Sequence, residues 1–220
     1  MRPPVAVLIA LVLLLATATV GYLTSERTRD ADASSQPVRP APATAAAPSA
    51  SPAATPAKAR AGKVLPLEAA LKELDLIRPA RAKLAEDFTL ATSGGGKVRL
   101  QEHRGKVVMV NFWATWCPPC LEEMPAMERL YRQQKDGGFT LIAVSVDADP
   151  KKVTPFVTAH KLTFPIGLDP RMEMANSYGV RALPSSFIVA RDGSLAALAI
   201  GPRAWDNDAA HSLIEGLVRK

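Results

Sequence analysis

Two cysteines occur in the 220 residues, and two residues part them in Trp116-Cys117-Pro118-Pro119-Cys120. A C-x-x-C pair directly after the apolar run Val107 to Trp113, and directly before a helical pattern, suits thiol–disulfide exchange. The same pair could instead form a structural disulfide or half of a zinc site. Zinc takes four ligands, however, and there is no second cysteine pair and no histidine cluster to supply them. Cys117 falls where a strand gives way to a helix, so unpaired backbone N–H groups and the positive end of the helix dipole favour its thiolate. It is the expected attacking sulfur. Cys120, one helical turn further on, is expected to be less exposed and to resolve the mixed disulfide by intramolecular attack. Pro118 and Pro119 remove backbone donors and stiffen the turn. The direction of electron flow does not follow from these residues.

The elements around the motif read as an α/β domain. Phe88-Thr89-Leu90 and Lys97-Val98-Arg99-Leu100, parted by Gly94-Gly95-Gly96, predict a small hairpin ahead of the strand Val107 to Phe112. That strand is almost continuously apolar, as one covered on both faces would be. The helix after the motif places Met124, Met127, Leu130 and Tyr131 on one face, with Pro125 expected to kink it and Gly137-Gly138 to end it. Phe139 to Val146 predicts a second buried strand, and Asp149-Pro150 opens a helix that buries Val153, Phe156 and Val157. A short strand at Phe164 to Leu168 and a helical turn through Met172 to Tyr178 follow. Leu183 to Val189 and Leu195 to Ile200 form a hairpin about Arg191-Asp192-Gly193-Ser194, and a last helix buries Leu213, Ile214, Leu217 and Val218. The sum is a central mixed sheet flanked by helices.

Before this domain, assigned to residues 80–220, the chain has a different character. Residues 1–25 hold an apolar stretch from Val5 to Leu23, which at 1.5 Å per residue is about long enough to cross a hydrocarbon core of roughly 30 Å. Ala16-Thr17-Ala18 offers a cleavage site, but the apolar residues continuing through Val20, Tyr22 and Leu23 favour a retained membrane anchor. Residues 26–63 are mostly Pro, Ala, Ser and Thr, too poor in large apolar side chains to fold, and read as a disordered linker. Leu65 to Ile77, within residues 64–79, has the apolar spacing of a short amphipathic helix.

The net charge of +6 divides evenly between residues 1–79, with 9 basic and 6 acidic, and residues 80–220, with 18 basic and 15 acidic. Neither part is basic enough to imply nucleic acid. His103, His160 and His211 are scattered and read as surface or helix residues. No metal and no cofactor beyond a redox-active Cys117–Cys120 disulfide is expected.

Asn111-Phe112-Trp113-Ala114-Thr115-Trp116-Cys117-Pro118-Pro119-Cys120, Glu122-Glu123-Met124-Pro125 and Leu183-Pro184-Ser185-Ser186-Phe187 together resemble the TlpA/ResA/DsbE family of membrane-anchored thioredoxin-like oxidoreductases. The resemblance spans Leu84 to Lys220 and implies a thioredoxin-like fold. It also implies catalysis by Cys117 and Cys120 and a glutamate near the sulfurs at Glu123. A Glu123 pointing inward would raise the thiol pKa values and carry a proton during exchange, whereas an exposed first-turn glutamate would only complement the dipole, as expected for Glu122. Thioredoxin's buried aspartate falls here on Asn111, which takes up no proton. Pro184 matches the cis proline of these folds, against the alternative of a trans proline opening an edge strand. Leu183 would then offer its backbone to an extended substrate, and Trp116, Pro118 and Pro119 would line the substrate side, with Trp113 and Trp116 at the rim or one of them in the core.

The implied role is a periplasmic, inner-membrane-tethered monomer that reduces disulfides of exported proteins. Its clients would be of the cytochrome c maturation or copper-site assembly type, and its electrons would come from a membrane donor of the DsbD or CcdA type. If the first segment is cleaved, the protein would be free in the periplasm. A copper-binding metallochaperone using the two thiolates is the alternative, although copper carriers of this fold usually show C-x-x-x-C with a dedicated histidine. A peroxidase would show Thr-x-x-Cys, and Thr115 is not so spaced.

Overall fold

A computed structural model describes residues 62–220. The expected anchor at 1–25 and nearly all of the linker at 26–63 lie outside them. In chain order the regular elements are α1 (Leu67–Glu73), the hairpin strands β1 (Thr89–Ala91) and β2 (Lys97–Arg99), β3 (Val107–Trp113), α2 (Pro118–Gln134) and β4 (Phe139–Ser145). There follow α3 (Val153–Ala159), β5 (Ile166–Leu168), α4 (Glu173–Ser177), β6 (Ser185–Val189), β7 (Leu195–Ile200) and α5 (Asp208–Val218).

Among the described residues β3 to β7 form one five-stranded sheet in the order β5-β4-β3-β6-β7, and β1 and β2 a separate antiparallel pair. β3 runs parallel to β4 and antiparallel to β6, which makes the sheet mixed. Every residue of β3 and β4 is buried, as expected from the nearly continuous apolar run at Val107 and from the buried strand read at Phe139 to Val146. Successive side chains of β3 point to opposite faces. Phe112 meets Tyr178 and Phe187 with ring centroids 5.3 and 5.8 Å apart, whereas its neighbour Trp113 lies 5.1 Å from Phe156 of α3.

Several sequence expectations change in detail. α2 runs from Pro118 to Gln134 without interruption through Pro125. Gly138, left-handed at φ 95°, ends this segment and accepts a hydrogen bond from Val107 N at its carbonyl, which returns the chain to the sheet. The first helix stops at Glu73 rather than continuing to Ile77, because Asp75 takes φ 49° and turns the chain. Ile77 then pairs with Leu198 of β7 through two backbone hydrogen bonds of 2.8 Å, covering that edge of the sheet. Ala70, Leu71 and Leu74 are buried in the same core as the sheet, and Leu65 N donates to Ser212 Oγ of α5 at 2.9 Å. His211 lies on helix α5, where it is buried, with Gln134 Nε2 2.9 Å from its Nδ1. No helix among the described residues is long and apolar enough to cross a membrane.

Candidate active site

β3 ends at Trp113, the chain turns through Ala114-Thr115-Trp116, and α2 begins at Pro118 with Cys117 as its N-cap. Cys117 N donates to Ala114 O at 3.2 Å, closing this turn, while Cys120 N and Leu121 N both donate to Cys117 O and start the helix. Pro118 and Pro119 occupy the first helical positions, where a missing N–H leaves nothing unsatisfied. The two sulfurs are joined at 2.04 Å, so the structure shows the oxidised site. Cys117 is 5% exposed and Cys120 fully buried, the asymmetry expected of an attacking and a resolving sulfur. Trp116 is 66% exposed beside Cys117 and forms the rim, whereas Trp113 belongs to the core.

The turn has an anchor that sequence reasoning missed. Asp147, just beyond the end of β4 and buried, accepts from Thr115 N, from Thr115 Oγ1 at 2.6 Å and from Ser145 Oγ at 2.7 Å. A charged acceptor with this many donors fixes Thr115, and with it the backbone that presents Trp116 and Cys117.

Glu123 lies one turn beyond Cys120 on α2 and is 4% exposed, while neighbouring Glu122 is exposed. The carboxylate therefore points inward. Asn111 Nδ2, from the middle of β3, donates to Glu123 Oε1 at 2.9 Å and to Ser186 Oγ of β6 at 2.9 Å. On the other side, Trp205 Nε1 and Arg203 N donate to Glu123 Oε2 at 3.0 and 3.2 Å. Burial pushes this carboxyl up to about 7, and the donors from Arg203, Trp205 and Asn111 together with the Arg203 charge hold it from rising further. A group that gains and loses its proton near neutrality is suited to take the Cys120 thiol proton as that sulfur attacks.

The Leu183–Pro184 peptide bond is cis. Because Phe112 of β3 pairs with Ser185 of β6, Pro184 lies at the end of β3 from which the chain departs toward Cys117. Pro184 is buried, Leu183 is half-buried, and Gly201 N donates to Pro184 O at 2.8 Å. Trp205 and Arg203 had no signal in the sequence, since they lie in an irregular stretch between β7 and α5 and reach Glu123 only through the fold. No group of three or more metal-ligating side chains gathers among the described residues.

The fold agrees with that of known proteins. A family model described as the AhpC/TSA family matches residues 82–198. The thiol-disulfide oxidoreductase ResA of Bacillus anthracis is 36% identical over 138 residues, which cover 63% of this chain and 76% of that protein. ResA of Geobacillus thermodenitrificans is 39% identical over 117 residues, covering 53% of this chain and 67% of its own. Among solved structures, a Chlorobium tepidum protein assigned as the thiol:disulfide interchange protein DsbE is 31% identical. It superposes with a TM-score of 0.59 over 63% of this chain and 97% of that one. The thioredoxin domain of a Bacteroides vulgatus thiol-disulfide oxidoreductase is 26% identical with a TM-score of 0.56, covering 64% of this chain and 99% of its own. With its thioredoxin-like fold and its Cys117–Cys120 disulfide at the head of α2, the chain belongs to the AhpC/TSA family and, within it, to the ResA/DsbE-like thiol–disulfide oxidoreductases.

Proposed function

We propose that the chain is a membrane-tethered periplasmic reductase of disulfides in exported proteins. The observation that carries the direction is the buried Glu123 carboxyl, one helical turn from Cys120 and raised to about 7. Dithiols become strong oxidants when their reduced form is stabilised, chiefly as a low-pKa thiolate. A desolvated carboxylate beside the pair opposes a second negative charge, raises the thiol pKa and so favours the disulfide over the dithiol. That is the electrostatics of a reductant. The apolar segment Val5 to Leu23 and the proline-rich linker support tethering outside the cytoplasm, and the family resemblance supports clients of the cytochrome c or copper-site assembly type with a DsbD- or CcdA-type donor.

In the forward step the Cys117 thiolate attacks one sulfur of a client disulfide, forming a mixed disulfide and releasing the other client sulfur as thiolate. Client backbone running beside Leu183 and Pro184, with Trp116, Pro118 and Pro119 at the rim, would hold that sulfur in line. Glu123 takes the Cys120 proton, Cys120 attacks Cys117 Sγ, and the second client sulfur leaves and is protonated. Two electrons have moved from the dithiol to the client, and the membrane donor restores them.

In the full chain expressed in its membrane, Cys120→Ser should accumulate mixed disulfides through Cys117, and Cys117→Ser almost none. The reduction potential should lie toward the reducing end of the roughly −270 to −120 mV spanned by this scaffold. Equal trapping by both variants would overturn the assignment of roles, and a potential near −120 mV would overturn the direction.

A further inference from the structure

Arg203 occupies an unusual position between three parts of the chain. Its side chain is 18% exposed, and its guanidinium donates almost entirely to main-chain carbonyls. Nε reaches Leu74 O at 2.6 Å and Nη2 reaches Asp75 O at 3.0 Å, both in the turn that ends α1. Nη1 reaches Ile200 O, Gly201 O and Pro202 O at 3.2, 3.3 and 2.9 Å, within the turn that leaves β7. The planar fork, with five fixed donors, thus staples two turns that are remote in sequence. The ion pair to Asp75 Oδ2 at 3.2 Å adds little, because that carboxylate is 95% exposed.

The stapled turn leaving β7 also serves the active site. Arg203 N and Trp205 Nε1 are two of the three donors to Glu123, and Gly201 N holds the Pro184 carbonyl. α1 is itself held to α5, since Leu65 N donates to Ser212 Oγ and Leu67 packs over Gly216, its Cδ1 3.4 Å from where a Cβ there would stand, an ordinary packing distance. We infer that Arg203 is a positioning residue that couples the docked segment 65–77 to the hydrogen bonding of Glu123, so that loosening one loosens the other. The inference rests on the reading of Glu123 as the proton carrier. Among the described residues the charge acting on that carboxyl is that of Arg203; β3 presents Asn111, which also donates to Ser186 of β6, and the loop presents Trp205. Losing the donors from the loop removes contacts that favour the ionised form, and Glu123 then titrates at higher pH.

The test uses the full chain, reduced, with the pH dependence of Cys117 alkylation and amide hydrogen exchange at Leu74 to Ile77 as readouts. Arg203→Gln and Arg203→Lys should both speed exchange across that segment. Both should also move the Glu123-linked inflection upward by about half a pH unit, a ~3-fold change in its ionisation constant. In a Glu123→Gln background neither should move the profile. Arg203→Lys, which keeps the charge without the fork, also guards against Arg203→Gln failing to fold. Faster exchange with an unmoved inflection would overturn the coupling, as would full restoration by lysine or a shift that persists without Glu123. A profile indifferent to Glu123→Gln alone would overturn the Glu123 reading itself, and this inference with it.

Discussion

Trp205 Nε1 donates to Glu123 Oε2 at 3.0 Å, joining residues 82 apart in sequence, and both side chains are buried. A buried carboxyl held by neutral donors is still short of solvation, and for that reason its proton stays on to about pH 7.

Stability should therefore fall as pH rises. A carboxyl whose folded pKa stands above its unfolded value of about 4.5 binds its proton longer in the folded chain, so folding free energy is lost between about pH 4.5 and 7 and is flat above. At ~1.4 kcal/mol per pH unit, this sets an upper figure of about 3 kcal/mol. Urea unfolding of the oxidised protein should show this decline, and Glu123→Gln should flatten it, gaining most relative to the native chain at pH 8. Parallel pH curves for the two proteins would refute the buried titration.

Trp205→Phe tests the donor rather than the acid. It removes one hydrogen bond to a charged acceptor, worth about 1.5–3 kcal/mol, and leaves a small void. Its cost should be larger at pH 8 than at pH 5, and disappear in part when combined with Glu123→Gln. A cost independent of pH would mean that only packing was lost.

The dithiol, the strand before it and the helix after it were legible because each leaves a local mark: spacing two for the cysteines, an unbroken apolar run for a doubly covered strand, and a 3.6 period for α2. Asn111 and Glu123 were legible as candidates, but their contact was not, since only the packing of α2 on β3 brings them to 2.9 Å. Arg203, Trp205 and Asp147 left no mark at all. Each acts from an irregular segment, where side-chain direction follows from the tertiary fold rather than from any period. The end of α1 was misplaced for a related reason. Leu74 and Ile77 continue a helical spacing, yet Ile77 gains more from pairing with the open edge of β7.

Gly193 separates a steric from a conformational cost. A Cβ there would stand 1.1 Å from Arg104 Nη1, but that atom is the end of a flexible side chain and can swing away, giving up only an exposed ion pair to Asp87. The backbone at φ 87° cannot relax without opening the β6–β7 turn. Gly193→Ala should therefore cost about 1–2 kcal/mol, the left-handed penalty, and Gly193→Asn distinctly less. The rate of Cys117 alkylation should be unchanged in both, because the turn lies at the end of the sheet away from the dithiol. Equal costs for Ala and Asn would point to the clash instead.

Asp147→Asn addresses the turn that presents Cys117. The carboxylate accepts from Thr115 N, Thr115 Oγ1 and Ser145 Oγ, and an amide replaces one acceptor oxygen with a donor that faces those same donors. One or two bonds must break, and a buried N–H is left without its acceptor, at about 2–3 kcal/mol. Thr115→Val should reproduce part of this by removing the hydroxyl while keeping the Thr115 N–H bond. Because the Ala114 to Cys117 turn loses its anchor, the loss should extend to function: disulfide exchange slows several-fold at saturating client, while the pH inflection linked to Glu123 stays in place. That separation distinguishes a group that places Cys117 from one that moves its proton. If Asp147→Asn shifted the inflection as Glu123→Gln does, Asp147 would belong to the proton path and not to the scaffold of the turn.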